Sequence, residues 1–349
     1  MTSGNRRPGR PDGESVPGPA GRRDALRLGT RGSALALAQS SLVASWLRER
    51  LGRQVELVHI VTAGDRSQEA ISQLGGTGVF VSALREALVA GEIDLAVHSL
   101  KDLPTATPDG LVIAAVPPRA DPRDVVVTPS GRKLSDLGPG GTVGTGSPRR
   151  AAQLRALGLG LNVVPIRGNV DTRIKKAIDG AVDAVVLAHA GLDRLDRLDA
   201  VTEVLDADVM VPAAGQGALA IECAGDPDVL DGVFDRADLY RGNVTLAELL
   251  RFVLDDPLSR TAVAAERAYL AAIEAGCSAP VGALADVAVA PEGAMAAGVI
   301  RLRAVVASPE GNGVLRRVVT GPAHHPEALG ERLADAMLSA GAQTLMGNF

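Results

Sequence analysis

From residue 26 the chain alternates short apolar runs with longer stretches of helical periodicity, and the alternation starts twice. LRLGT (26–30) leads through Arg31-Gly32-Ser33 into a stretch with Leu35, Ala38, Leu42 and Trp46 on one predicted helix face. VELVHIVTAGD (55–65) is the next strand and turn, and VFVSALREALVA (79–90) is a helix ended by Gly91. DLAVHS (94–99) is a buried strand. The order β-α-β-α-β predicts an α/β unit, a mainly parallel sheet with helices on both faces. After the Pro- and charge-rich break VPPRADPRD (116–124) the pattern resumes with VVVTPS, TVGTGS, SPRRAAQLRAL, NVVPIRGN, DTRIKKAID and DAVVLAHAGL (183–192). Ser147 is the expected N-cap of the SPRRAAQLRAL helix, with Pro148 at its first position. Two α/β units of similar design therefore join near residues 117–123.

VPAAGQGALAIEC (211–223) is a Gly/Ala-rich turn entering a strand, a return crossover between the units. Residues 226–276 are mostly helical in pattern. Beyond 281, GALADVAV, VIRLRAVVAS and VLRRVVTG are strands of an antiparallel sheet with SPEGNG as a turn. PEALGERLADAMLSAGAQTL (326–345) is one closing amphipathic helix. The expected domains are 25–117 with 218–240, 122–211, and a smaller α+β domain over 258–349. Residues 1–24, rich in Pro, Gly and charge, form a disordered leader without the apolar core of a secretory signal.

Hydrophobic residues make up 46% of the chain but aromatics only 2%, so the cores are aliphatic. A net charge of −5 argues against general nucleic-acid binding, though not against a local basic cleft. Two distant cysteines, Cys223 and Cys277, cannot build a disulfide framework and suit a reducing compartment. No apolar run approaches the roughly eighteen residues of a membrane span. A cytoplasmic, soluble protein is expected.

Ligands of open α/β sheets bind beyond the carboxyl ends of the strands. Those ends carry Arg31 and Ser33; Lys101 and Asp102; Ser147, Arg149 and Arg150; Arg167 and Arg173; and Arg194. Guanidinium forks and helix N-termini recognise carboxylates and phosphates. One such arginine alone reads as a solvated loop residue; the recurrence in two units favours a polyanion site. Asp102 in HSLKDLP is either a salt-bridge partner or a working acid/base. Lys101 is either an anion ligand or a solvated charge.

No G-x-G-x-x-G follows a strand, and no Walker A motif is present. His59, His98, His189, His324 and His325 show no metal-ligand spacing with the cysteines. Cys223, in the apolar ALAIEC, reads as a buried inert thiol. Cys277, in the loop EAGCSAPVGA, is either an accessible nucleophile or a small residue filling a domain junction.

Taken in order, GTRGSALAL, HSLKDLPT, DPRD, GTGSPRR, IRGNVDTR, AGLDRL, PAAGQGALAIEC, AERA and GCSAPVG resemble the porphobilinogen deaminase (hydroxymethylbilane synthase) family, from about residue 26 to near the C-terminus. The resemblance implies three domains, the first two akin to the periplasmic binding-protein fold. It implies a dipyrromethane cofactor joined by a thioether to Cys277. Four porphobilinogen molecules would be condensed head to tail with loss of ammonia, and the linear tetrapyrrole hydrolysed off. It also implies that Arg31, Ser33, Lys101, Thr145, Ser147, Arg149, Arg150, Arg167, Gly168, Arg173, Arg194 and Gln216 bind cofactor or substrate. Asp102 would be the catalytic carboxylate, stabilising the cationic azafulvene formed as the amino group leaves. Phe80 matches a substrate-loop aromatic. A monomer acting on a small molecule, with no nucleic-acid or membrane partner and no metal, is implied.

The chain departs from the family in three places. The Gly-rich loop, often GGKG, reads Gly75-Gly76-Thr77-Gly78, so no binding role passes to Thr77. GTGSPRR has Gly146 and Pro148 where Ser and Leu are common. The 224–265 segment is longer than expected. The rival reading is a non-catalytic organic-anion-binding protein, which would not need Cys277. A thiol hydrolase pairing Cys277 with a histidine is weaker, since nothing in the sequence brings a histidine to that loop.

Overall fold

The computed structural model describes residues 25–60, 78–225, 244–274, 279–288 and 298–347. Three sheets organise them. The first lobe contains β1 (Ala25–Thr30), α1 (Ala34–Leu51), β2 (Gln54–His59), α2 (Gly78–Val89), β3 (Leu95–Ser99) and β4 (Leu111–Ala115). The second contains β5 (Asp124–Val127), β6 (Thr142–Thr145), α3 (Pro148–Ala156), β7 (Asn162–Pro165), α4 (Val170–Ile178), β8 (Ala184–Ala188), α5 (His189–Asp193) and β9 (Glu203–Val204). The chain then returns as β10 (Leu219–Ala224) to the first sheet. Helices α6 (Leu246–Leu254) and α7 (Pro257–Ala272) follow, then β11 (Val281–Ala288), β12 (Val299–Ala307), β13 (Val314–Pro322), α8 (Pro326–Ser339) and α9 (Ala342–Met346).

The first sheet has the order β2-β1-β3-β10-β4 and the second β7-β6-β8-β5-β9. In each, three parallel strands are followed by one antiparallel strand that arrives from the other lobe's side of the chain. The two sheets thus share one topology, as the repeated alternation predicts. Strands β5 (DVVV) and β8 (AVVLA) are aliphatic runs buried along nearly their whole length, as expected of strands covered on both faces. The third sheet is an antiparallel β11-β12-β13 meander. Tyr269 of α7 and Leu333 and Met337 of α8 join Ile300 and Leu302 in its core. Helix α6 instead packs Leu250 and Leu254 into the first lobe with Leu28, Leu95 and Ile221.

Two expectations are corrected. Helix α1 buries a face rotated from the predicted one: Leu42 is exposed and Trp46 only partly buried against the first-lobe core, while Gln39, Ser40, Val43, Ala44 and Leu47 face inward. The phase shifts because Gln39 is held inside by hydrogen bonds to Ser99 at the end of β3, with its Nε2 2.9 Å from Ser99 Oγ. A polar residue on the core face misleads a reading by hydrophobicity. The closing helix is two, α8 and α9, separated by Gly341 at φ +92°, a left-handed conformation that a continuous helix cannot hold. The leader, Thr77, the Phe80 side chain, Cys277 and residues 226–243 of the longer segment lie outside the described residues.

Candidate active site

Of the predicted site residues, Lys101, Arg149, Arg150, Arg194 and Gln216 are joined by contacts where the two lobes meet. Ser33 caps α1, its hydroxyl accepting from Ala36 N–H, and half-buried Arg31 precedes it at the end of β1. Ser147 caps α3 and accepts from Arg150 N–H, while the buried Thr145 Oγ1 accepts from Ser147 N–H. Both helix N-termini therefore lie at carboxyl ends of parallel strands. A single 3-10 turn after β3, Leu100–Asp102, carries Lys101 and Asp102. Its apolar member Leu100 is buried, which leaves Lys101 and Asp102 outward. Asp102 is exposed and makes no hydrogen bond or ion pair with another described residue.

Arg149 and Arg150 are both buried, and each reaches Asp124, the first residue of β5. Arg150 donates through Nε and Nη2 to Asp124 Oδ1 at 3.0 and 2.8 Å, and Arg149 Nη1 lies 2.8 Å from Oδ2. Gln216, on the return crossover, donates to the same Oδ1 and to Pro122 O, and its Oε1 accepts from Lys101 Nζ at 3.3 Å. A continuous chain thus runs from Lys101 in the first lobe through Gln216 and Asp124 to Arg149 and Arg150 in the second. Burial alone would raise the Asp124 pKa, but the two guanidinium charges and the hydrogen bonds from Arg150 and Gln216 outweigh it and hold it at about 2. Lys101 keeps an open face, yet the protein crowding around it, and then the Arg150 charge, lower its pKa to about 8 against the pull of Asp102 and Asp124.

Arg167 is exposed with no partner among the described residues. Arg173 donates Nε to Gly168 O and has its pKa lowered by burial and by Arg150. Gly168 sits at φ +114°, where a Cβ would fall 2.6 Å from Thr172 Cγ2, so glycine is required to turn the chain between Arg167 and α4. Arg194 donates Nη2 to Gly217 O on the return crossover, and burial lowers its pKa to about 10.

Sequence reasoning missed the carboxylates that hold this frame. Asp124 heads an apolar strand, and Glu222 is the single charge inside ALAIEC; a charge set into a buried run is the signal each offered. Glu222 takes Nε and Nη2 of Arg85 and lies 3.2 Å from His98 Nε2. Glu266, wholly buried, accepts both Nη groups of Arg119 at 2.6 and 3.0 Å and the N–H groups of Gly215 and Ala285. Cys223 is buried, with its thiol pushed up to about 12 by burial and by Glu222, so it is unreactive as expected. No group of His, Cys, Asp and Glu among the described residues could hold a metal ion.

The donor set suits a ligand with several carboxylates. Among the described residues, Arg173 and Arg194 each leave donors without an acceptor, Arg149 Nε is buried without one, and Arg167 is exposed. A dipyrromethane with acidic side chains fits such a lining. Two α/β lobes meeting at a cationic frame, with a third domain on their crossovers, define a protein class built to handle a polyanionic small molecule. Family models match residues 26–231 (porphobilinogen deaminase, dipyromethane cofactor binding domain) and 260–339 (porphobilinogen deaminase, C-terminal domain). Porphobilinogen deaminase 1 of Streptomyces coelicolor is 54% identical over 331 residues, 93% of this chain and 98% of that protein. Porphobilinogen deaminase of Thermobifida fusca is 48% identical over 92% of this chain and 96% of that protein. The chain belongs to the porphobilinogen deaminase family, a family of transferases with a dipyrromethane cofactor, and the anion-binding module is not favoured. Among solved structures, the periplasmic VFT2 domain of Bordetella pertussis BvgS is similar at 17% identity, with a TM-score of 0.35 over 58% of this chain and 81% of that chain.

Proposed function

We propose that Asp102 is the catalytic carboxylate of this deaminase and that Cys277 carries the cofactor through a thioether. When bound, the dipyrromethane supplies the pyrrole carbon at which chain growth begins. Asp102 stands against the positive charge that develops as ammonia leaves porphobilinogen, and accepts from pyrrole N–H groups. Arg31, Arg167, Arg173, Arg194 and Lys101, with the helix caps at Ser33 and Ser147, hold acetate and propionate groups. Arg149 and Arg150 add positive potential to that lining while holding Asp124. Four condensations followed by hydrolysis yield the linear tetrapyrrole hydroxymethylbilane, a heme precursor, in the cytoplasm and by a monomer without nucleic-acid or membrane partners. No helix among the described residues is long and apolar enough to cross a membrane.

The observation that carries this reading is the Asp102 turn. A carboxylate without a partner among the described residues sits beside a lysine that is linked, through Gln216 and Asp124, to the paired arginines of the other lobe. The intact mass of freshly purified protein tests it. The expected mass exceeds the bare chain by two pyrrole units, and Cys277→Ser loses the excess. Active protein with the bare-chain mass would refute the attachment. Asp102→Asn is expected to keep the cofactor and to turn over at least ~100-fold more slowly, the range of a lost acid/base group.

A further inference from the structure

Helix α7 approaches the Asp102 turn from the third domain. Arg267 donates to the three carbonyls that immediately follow Asp102: Nη1 to Leu103 O at 3.3 Å, and Nη2 to Pro104 O at 2.7 Å and Thr105 O at 3.0 Å. One helical turn earlier, Val263 packs with Leu100 and Leu103, the apolar residues on either side of Lys101 and Asp102. The pair Val263/Arg267, spaced i and i+4, therefore grips the turn with one apolar and one polar contact. The gripped carbonyls belong to irregular backbone after the 3-10 turn and join no strand. Behind the clamp, Glu222 binds Arg85; burial and then the Arg85 charge lower the Arg267 pKa, and Glu222 only partly offsets them.

The geometry points to Arg267 as a positioning residue for Asp102, acting through the backbone of residues 103–105 that follows the Asp102 turn. This inference rests on Asp102 being the catalytic carboxylate. A guanidinium fork can address successive carbonyls as a lysine cannot. Displacing a reacting group by ~1 Å is enough to lose up to ~100-fold in rate.

The test compares Asp102→Asn, Arg267→Gln, Arg267→Lys and the double variant D102N/R267Q in cofactor-loaded enzyme, with intact mass confirming the load. Arg267→Gln is expected to lower kcat ~10-fold or more, with KM for porphobilinogen within about twofold of the parent. Arg267→Lys, which keeps the charge and the stem, falls between the two. The double variant is expected to be no slower than Asp102→Asn within about twofold, because Arg267 acts only through Asp102. Unchanged kcat in Arg267→Gln beside a slow Asp102→Asn overturns the role of Arg267. A rise in KM alone, or losses that multiply in the double variant, overturns it too. Near-normal turnover of Asp102→Asn instead overturns the reading of Asp102 on which this one stands.

Discussion

Asp124 balances two buried guanidinium groups with one carboxylate, so its removal leaves both without a counter-charge. Asp124→Asn is expected to lose about 3–5 kcal/mol, measured by denaturant unfolding. Its ordinary pKa of 3.8 falls to about 2 in the folded protein, so the folded state holds the proton less tightly. The stability it contributes is complete above about pH 4 and is lost as pH falls from there through about 2. Acid unfolding of the parent should steepen in that window, and the Asn variant should not show that component. Lys101 titrates at the other end: its ammonium is lost as pH rises through about 8. A carboxylate ligand then meets a neutral amine, so KM for porphobilinogen should rise above about pH 8. In Lys101→Arg that rise should disappear. The arginines were legible in the sequence as a set, because each follows an apolar strand. Their division of labour was not. That Arg149 and Arg150 meet Asp124 depends on β5 lying antiparallel beside β8, strands well separated in the chain.

At the scale of elements, α7 serves three neighbours at once. Ala262, Ala265 and Tyr269 enter the third domain's core, Val263 and Arg267 hold the Asp102 turn, and Glu266 reaches the crossovers. Each set follows helical spacing, but only the first could be read from the sequence, since its residues are apolar and regular. The other two depend on which partners the fold delivers. Helix α1 shows the same limit, where Gln39 occupies a core position that apolar periodicity assigns elsewhere. Glu266 fills both carboxylate oxygens with donors from Arg119, Gly215 and Ala285. A neutral amide in place of that carboxylate would aim N–H at one of these donors. Glu266→Gln is therefore expected to destabilise the protein by about 3 kcal/mol or more, read as a lower thermal midpoint.

The whole molecule turns on two antiparallel crossings between its lobes. Residues 116–123 lead outward and 205–218 lead back, and they touch where Ala120 N–H donates to Gly217 O. Gly217 lies at φ +86°, and a Cβ there would sit 2.4 Å from Ala120 O. Gly217→Ala should force the crossings apart, lowering the thermal midpoint and slowing turnover together, with calorimetry and steady-state rates as the readouts. The third domain leans on the same return crossing, with Ala283 N–H donating to Pro212 O and Arg316 to Asp208 O and Val209 O. It also meets the second lobe where Arg155 donates to Pro309 O. In the sequence the outward crossing is marked by Pro and charge and the return by a Gly/Ala-rich turn, because chain that leaves one sheet for another cannot continue either strand pattern.

The strand order also dictates a sequence of events during synthesis. All strands of the second sheet lie within residues 124–204, so that lobe can close as soon as it is made. The first sheet cannot, because among the described residues β4 pairs only with β10, which emerges about a hundred residues later. Until then β4 presents an unpaired apolar edge, LVIAA, to whatever surrounds the nascent chain. The lobe that begins first is finished last, and a chain that stops before residue 219 leaves it open.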